Sequence, residues 1–181
     1  MARPTRGIGD KWIDVCRRLN ERGAAYIVVG GIAVNLHGHV RATRDLDILV
    51  PRDIENTRRI LEALAELPYG MARELDAEIV DARPITIIGD DPRVDILKSA
   101  GALNYSNAKD GVVTITVENV VVPYVSLEDL IRSKKTDRDD DKADERRLRL
   151  IAKQKARRTT GTNTTKPGSP GESEPPEQTG S

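Results

Sequence analysis

A few residues of this chain have the types and spacing that could do chemistry. Asp45-Leu46-Asp47-Ile48 alternates acid and aliphatic side chains, and in a strand residues two apart project to the same face. The pattern stands Asp45 and Asp47 side by side and turns Leu46, Ile48 and Val50 toward a core. Two adjacent carboxylates repel unless a cation lies between them. Hard carboxylate oxygens suit Mg²⁺, which keeps some waters and takes phosphate oxygens as further ligands. A pair of solvated surface aspartates is the plainer alternative. Asp95 is embedded in Arg93-Val94-Asp95-Ile96-Leu97, and an acid inside an apolar strand needs a partner because unpaired buried charge is expensive. That partner is either a metal shared with Asp45 and Asp47 or an arginine in a structural ion pair. Gly30-Gly31 follows the apolar run Ala25-Tyr26-Ile27-Val28-Val29. Glycines there let the backbone approach a ligand closely, and free N–H groups at a helix start favour phosphate. A tight turn explains the same pair without any ligand.

These residues need elements to hold them. Trp12, Ile13, Cys16 and Leu19 fall at helical spacing after Asp10, a plausible N-cap. A strand over 25–29, a short helix over 32–36 closed by Gly38, and a second strand over 46–50 stopped by Pro51 follow. Asp53 caps a helix whose Ile54, Thr57, Leu61 and Leu64 share a face. Strands over 85–88 and 93–97 flank the turn Gly89-Asp90-Asp91-Pro92, and strands over 112–117 and 120–125 flank Glu118-Asn119. Ser126 and Asp129 mark the start of a helix running to Lys134, and a charged helix covers Asp140 to Lys155. Strands bracketed by helices, some of them hairpins, imply an α/β (α+β) domain with a mixed sheet flanked by helices.

The chain has 181 residues with 29 basic and 29 acidic side chains. Zero net charge argues against coating nucleic acid by bulk charge. No run approaches the length of a membrane span and no apolar leader is visible, so the expected location is the cytoplasm, with no membrane partner. The lone Cys16 cannot form an intrachain disulfide and fits a reducing compartment; core packing is its expected role. Aliphatic residues must fill the core, since Phe is absent and only one Trp and four Tyr occur. From Thr159 onward no aliphatic or aromatic residue appears. The expected division is a folded domain over 8–155 and a disordered tail over 156–181. His37 and His39 lack zinc-site spacing, and the run from Arg132 to Arg149 is expected to be a solvated helix with i,i+4 ion pairs.

The order Val29-Gly30-Gly31, a spacer, Asp45-Leu46-Asp47-Ile48, then a lone Asp95 on a later strand resembles the nucleotidyltransferase fold of the DNA polymerase β superfamily. The stretch Gly30 to Gly38, with Arg41-Ala42-Thr43-Arg44 before the acids, is similar to small stand-alone bacterial and archaeal members related to the AbiEii-type toxins of abortive-infection and toxin–antitoxin systems. Val125 to Ile131 followed by Lys134 is similar to the helix opening those proteins place after the sheet, and Asp141 and Asp144 resemble a downstream acid pair.

The resemblance implies transfer of a nucleoside monophosphate from an NTP to an acceptor hydroxyl, with pyrophosphate released. Asp45 and Asp47 would hold Mg²⁺, two ions by the superfamily's logic, with Mn²⁺ as the alternative ion. Asp95 would complete the catalytic metal and help deprotonate the acceptor. Gly30 and Gly31 would meet the phosphates, while Arg41, Arg44 and Lys134 would face the leaving pyrophosphate; Arg44 could equally pair with Asp45 or Asp47. The acceptor could be a tRNA end, a partner protein or a small molecule such as an aminoglycoside-like hydroxyl compound. A homodimer or a cognate partner protein could complete the acceptor pocket. Two other readings remain. Asp-x-Asp also occurs in glycosyltransferases, which usually need a nucleotide-binding half before it. A non-catalytic nucleotide-binding or antitoxin-like subunit could keep the same fold.

Overall fold

The computed structural model describes residues 11–136 and 138–161. The expected cap Asp10 and the tail over 162–181 lie outside the described residues. The chain opens with α1 (Lys11–Glu21), β1 (Ile27–Val29) and α2 (Gly30–Leu36), followed by β2 (Asp45–Leu49) and α3 (Ile54–Leu64). A 3-10 turn and α4 (Ala77–Ala82) lead to β3 (Ile85–Ile88) and β4 (Arg93–Leu97). A small ladder of β5 (Ser99–Ala100) and β6 (Leu103–Asn104) and the one-turn α5 (Tyr105–Ala108) come next. The hairpin β7 (Val113–Val117) and β8 (Val120–Tyr124) then precedes α6 (Leu127–Ser133) and α7 (Asp139–Gly161).

Six strands form one mixed sheet in the order β3-β4-β2-β1-β8-β7. β2 runs parallel to β4 and β1 parallel to β8, while the other pairs are antiparallel. The expected mixed sheet flanked by helices is therefore present. Alternation along each strand feeds two cores. On one face Leu46, Ile48, Val94 and Ile96 pack with Ile13 and Leu19 of α1 and Ile60 and Leu64 of α3. On the other, Ile27, Val29 and Leu49 pack with Ala33, Val34, Leu130 and Leu148. Cys16 is buried in the first core, and burial pushes its thiol up to about 12.

Local signals account for most boundaries. Asp53 accepts the Asn56 N–H at 2.9 Å and Ser126 accepts the Asp129 N–H at 3.1 Å, so both expected caps are made. Glu118 and Asn119 both take positive φ, 49° and 63°, the geometry of a two-residue hairpin turn. Two elements differ from expectation. The last helix begins at Asp139 and runs to Gly161, so residues 156–161, assigned to the tail, are helical. It is also not fully solvated, because Asp144 and Leu148, four residues apart, are both buried. Composition hid that narrow face among charges. No described helix is long and apolar enough to cross a membrane.

One buried charge is structural. The Lys98 ammonium, its side chain 2% exposed, donates to Asp81 Oδ1 at 2.6 Å and to the Pro51 carbonyl at 2.9 Å. Thr57 donates to the same Asp81 oxygen at 2.8 Å. The cluster ties α3 and α4 to the end of β4. Removing one partner of such a pair leaves the other poorly compensated, so Lys98→Met should lower the unfolding free energy by about 2 kcal/mol. A urea titration would show this as an earlier midpoint; an unchanged midpoint would show that the cluster contributes nothing net.

Candidate active site

Strand register brings the acids together. In the parallel β2–β4 pair, Asp47 lies opposite Asp95 and Asp45 opposite Arg93. Asp45, Asp47 and Asp95 thus share the face that carries Leu49 and Leu97, away from the core of Leu46, Ile48, Val94 and Ile96. Asp45 and Asp47 are half-buried, and Asp95 is buried. Asp47 is the central acid. Burial, then the charges of Asp95 and Asp45, push its carboxyl up to about 6 despite the opposing pull of Lys134 and a hydrogen bond from the Gly31 amide.

The two glycines allow this crowding. Gly30 has φ +62°, a region L side chains rarely adopt. A β-carbon there would overlap Asp47 Oδ2 and lie 2.7 Å from its Cγ. At Gly31 a β-carbon would lie 2.6 Å from Thr43 Oγ1 and 2.9 Å from Thr43 Cβ. The start of α2 is therefore pressed against the acid strand and the loop before it.

Arg41 and Lys134 meet at one acid from the far end of the chain. Arg41 Nη2 bonds Asp144 Oδ2 at 3.0 Å, and Lys134 Nζ reaches the same oxygen at 3.1 Å and Asp141 Oδ1 at 2.8 Å. Asn35 of α2 holds the Arg41 backbone from both sides, donating to its carbonyl and accepting its N–H, each at 2.9 Å. The Nε of Arg41 is buried without a hydrogen-bond partner. Arg44 is placed differently: it is exposed and lines a neighbouring cavity beside Trp12 and Asp91, outside the cleft that holds the three acids. That cleft has a volume of about 690 Å³ and takes in Gly30, Gly31, Arg41 and Lys134.

Arg93 is the residue the motif reading did not bring into the site. Its Nε and Nη2 donate to the two oxygens of Asp95 at 2.8 and 2.9 Å, and its Nη1 lies 3.9 Å from Asp45 Oδ2. The ion-pair alternative for Asp95 is realised here. Residues two apart on a strand share a face, so the Arg-x-Asp spacing carried the signal. His37 is engaged in a buried backbone contact. It is buried, its Nε2–H donates to the Val125 carbonyl at 2.8 Å, and burial lowers its pKa.

Among the described residues no three His, Cys, Asp or Glu side chains converge into a ready cage. Mg²⁺ needs none, since it binds through one or two carboxylates together with substrate phosphates. Asp45 and Asp47 offer hard oxygens on one face, and the raised carboxyl of Asp47 marks acids crowded beyond their positive neighbours. These residues fit an ion that arrives with a triphosphate.

A family model of the aminoglycoside-2''-adenylyltransferases matches residues 12–148, and the chain belongs to that family. The family lies within the nucleotidyltransferase superfamily; the match comes by way of an adenylyltransferase rather than the AbiEii-type toxins. No curated protein matches the chain.

Proposed function

We propose that this family member moves a nucleoside monophosphate, AMP by the family's description, from an NTP to an acceptor hydroxyl. The observation that carries the reading is the row formed by Asp47 and Asp95 on paired strands, with Asp45 beside it and Gly30 packed against Asp47. In the reaction the acceptor oxygen forms a bond to the α-phosphorus, and the bond from that phosphorus to the bridging oxygen of pyrophosphate breaks. Pyrophosphate leaves with the electron pair. The acceptor proton passes to Asp95 or to solvent. Mg²⁺, held by Asp45 and Asp47 with Asp95 as a further ligand, would supply positive charge to the phosphate oxygens. Lys134 and Arg41 line the cleft with the glycine pair, and they would exchange Asp141 and Asp144 for phosphate oxygens. Arg93 would have to yield at least one Asp95 oxygen.

Radiolabel at the α-phosphate of ATP tests this against a panel of kanamycin, bulk tRNA and uncharged glycosides. The reading expects label on one acceptor with one pyrophosphate released per transfer, and loss of transfer in Asp95→Asn. A second reading has one observation in its favour. With Arg93 on both Asp95 oxygens and both Arg41 and Lys134 already paired with acids, the chain could bind nucleotide without turning it over. Mg²⁺-dependent ATP binding with no transfer to any class would select that reading.

A further inference from the structure

A second cavity adjoins the acid cleft, and the chemistry derived above leaves it unused. It has a volume of about 560 Å³ and is bounded by the start of α1, by α2 and by the loops before β2 and β4, a size that suits a small ligand. Arg41, Thr43 and Asp45 line both spaces, so a ligand held at Asp45 can extend into either. Arg41, in that shared wall, keeps a buried Nε without a partner. Trp12 lines the second cavity while resting half-buried on the first core. Arg44 lines it too, and it has no hydrogen bond or ion pair among the described residues.

Charge and aromatic character decide what fits there. Among the described residues around the cavity, the cations Lys11, Arg41, Arg44 and Arg93 outnumber the acids Asp45 and Asp91. Lys11 already pairs with Asp91. A polycationic acceptor is repelled from such a space, and it suits the acid cleft, which Asp140 and Asp141 also line. A nucleotide is the opposite kind of ligand, an anion with a flat aromatic end. With its phosphates at the acids and the glycine pair, its base still needs a surface to stack on. No described residue that lines the acid cleft is aromatic; the neighbouring cavity supplies Trp12.

We propose that the base of the bound nucleotide is seated in this second cavity, stacked on Trp12 with Arg44 over its other face, while the phosphates run past Asp45 to Gly30 and Gly31. Guanidinium planes stack on bases as aromatic rings do, and Arg44 is free to take that place. The inference rests on the transferase reading and adds to it the residues that hold the base. It also leaves the acid cleft open to a cationic acceptor.

The test follows the emission of Trp12, which is the chain's single tryptophan. Mg²⁺-ATP should quench it, whereas Mg²⁺-tripolyphosphate, which has the phosphates and no base, should not. In calorimetry Trp12→Leu should weaken Mg²⁺-ATP binding by about tenfold and leave tripolyphosphate binding unchanged. Trp12→Phe keeps a ring on the core and should recover most of that loss, and Arg44→Gln should cost about threefold. ATP binding without a change in emission, equal quenching by tripolyphosphate, or full ATP affinity in folded Trp12→Leu overturns the proposal. Quenching by kanamycin in the absence of nucleotide would assign the cavity to the acceptor and overturn it too. Failure of the wild type to bind Mg²⁺-ATP would instead remove the transferase reading itself, and the base seat with it.

Discussion

Asp47→Asn should melt at a higher temperature than the wild type near neutral pH while losing transfer by about a thousandfold. Both effects come from the same crowding. An acid whose folded pKa lies above its unfolded value holds its proton more tightly in the fold, so its ionised form costs stability. For Asp47 the folded value is about 6 against an ordinary 3.8. The cost is therefore absent below the ordinary value, grows as pH rises between the two, and is fully present above the higher one. Two pKa units set an upper bound of about 3 kcal/mol, which for a chain of this size corresponds to a gain of about 3–6 °C once residual solvation is allowed for. The measurement is thermal unfolding with chelator and without nucleotide. The gap between variant and wild type should close as the pH is lowered to 4. A variant that melts lower at pH 7 would show that the carboxylate is stabilised where it stands.

Gly30→Ala should be the most damaging single methyl in the site. Gly30 combines φ +62° with contact to the Asp47 carboxylate, so a β-carbon meets both backbone strain and overlap. The left-handed conformation alone costs about 1–2 kcal/mol in a non-glycine residue, and displacing Asp47 adds to it. We expect a loss of about 2–4 kcal/mol in unfolding free energy. Transfer should fall at least about a hundredfold, since displacement of this order misaligns a reacting group. A double-mutant cycle separates the parts. In an Asp47→Ala background the overlap with Oδ2 and Cγ is gone, so the penalty for Gly30→Ala should shrink toward the backbone cost. An equal penalty in both backgrounds would mean that the glycine matters only for its backbone.

Much of the site was legible because strand periodicity is strict. Asp45 and Asp47 alternating with Leu46 and Ile48 leave one way to bury the aliphatics, and the observed cores follow it. Asp95 between Val94 and Ile96 obeys the same rule. What periodicity does not contain is which strands become neighbours, so the pairing of Asp47 with Asp95 needed the sheet itself. Arg41 and Asp144 are 103 residues apart, and nothing local joins them. Arg93 is the opposite case. Its partner is two residues away on the same strand face, at a spacing the sequence displays directly. Arg44 sits one residue before the acids, yet its side chain belongs to a different cavity. Chain proximity says little about aim where a loop enters a strand. The buried stripe of α7 escaped because Asp144, one of the two residues that define it, is itself charged.

Calorimetric titration of ATP with and without Mg²⁺, for the wild type and the Asp45→Asn/Asp47→Asn double variant, tests the central claim most directly. The account predicts Mg²⁺-dependent binding to the wild type that the folded double variant loses. Nucleotide binding that ignores both the metal and the substitutions, or no binding by well-folded wild type, would contradict it.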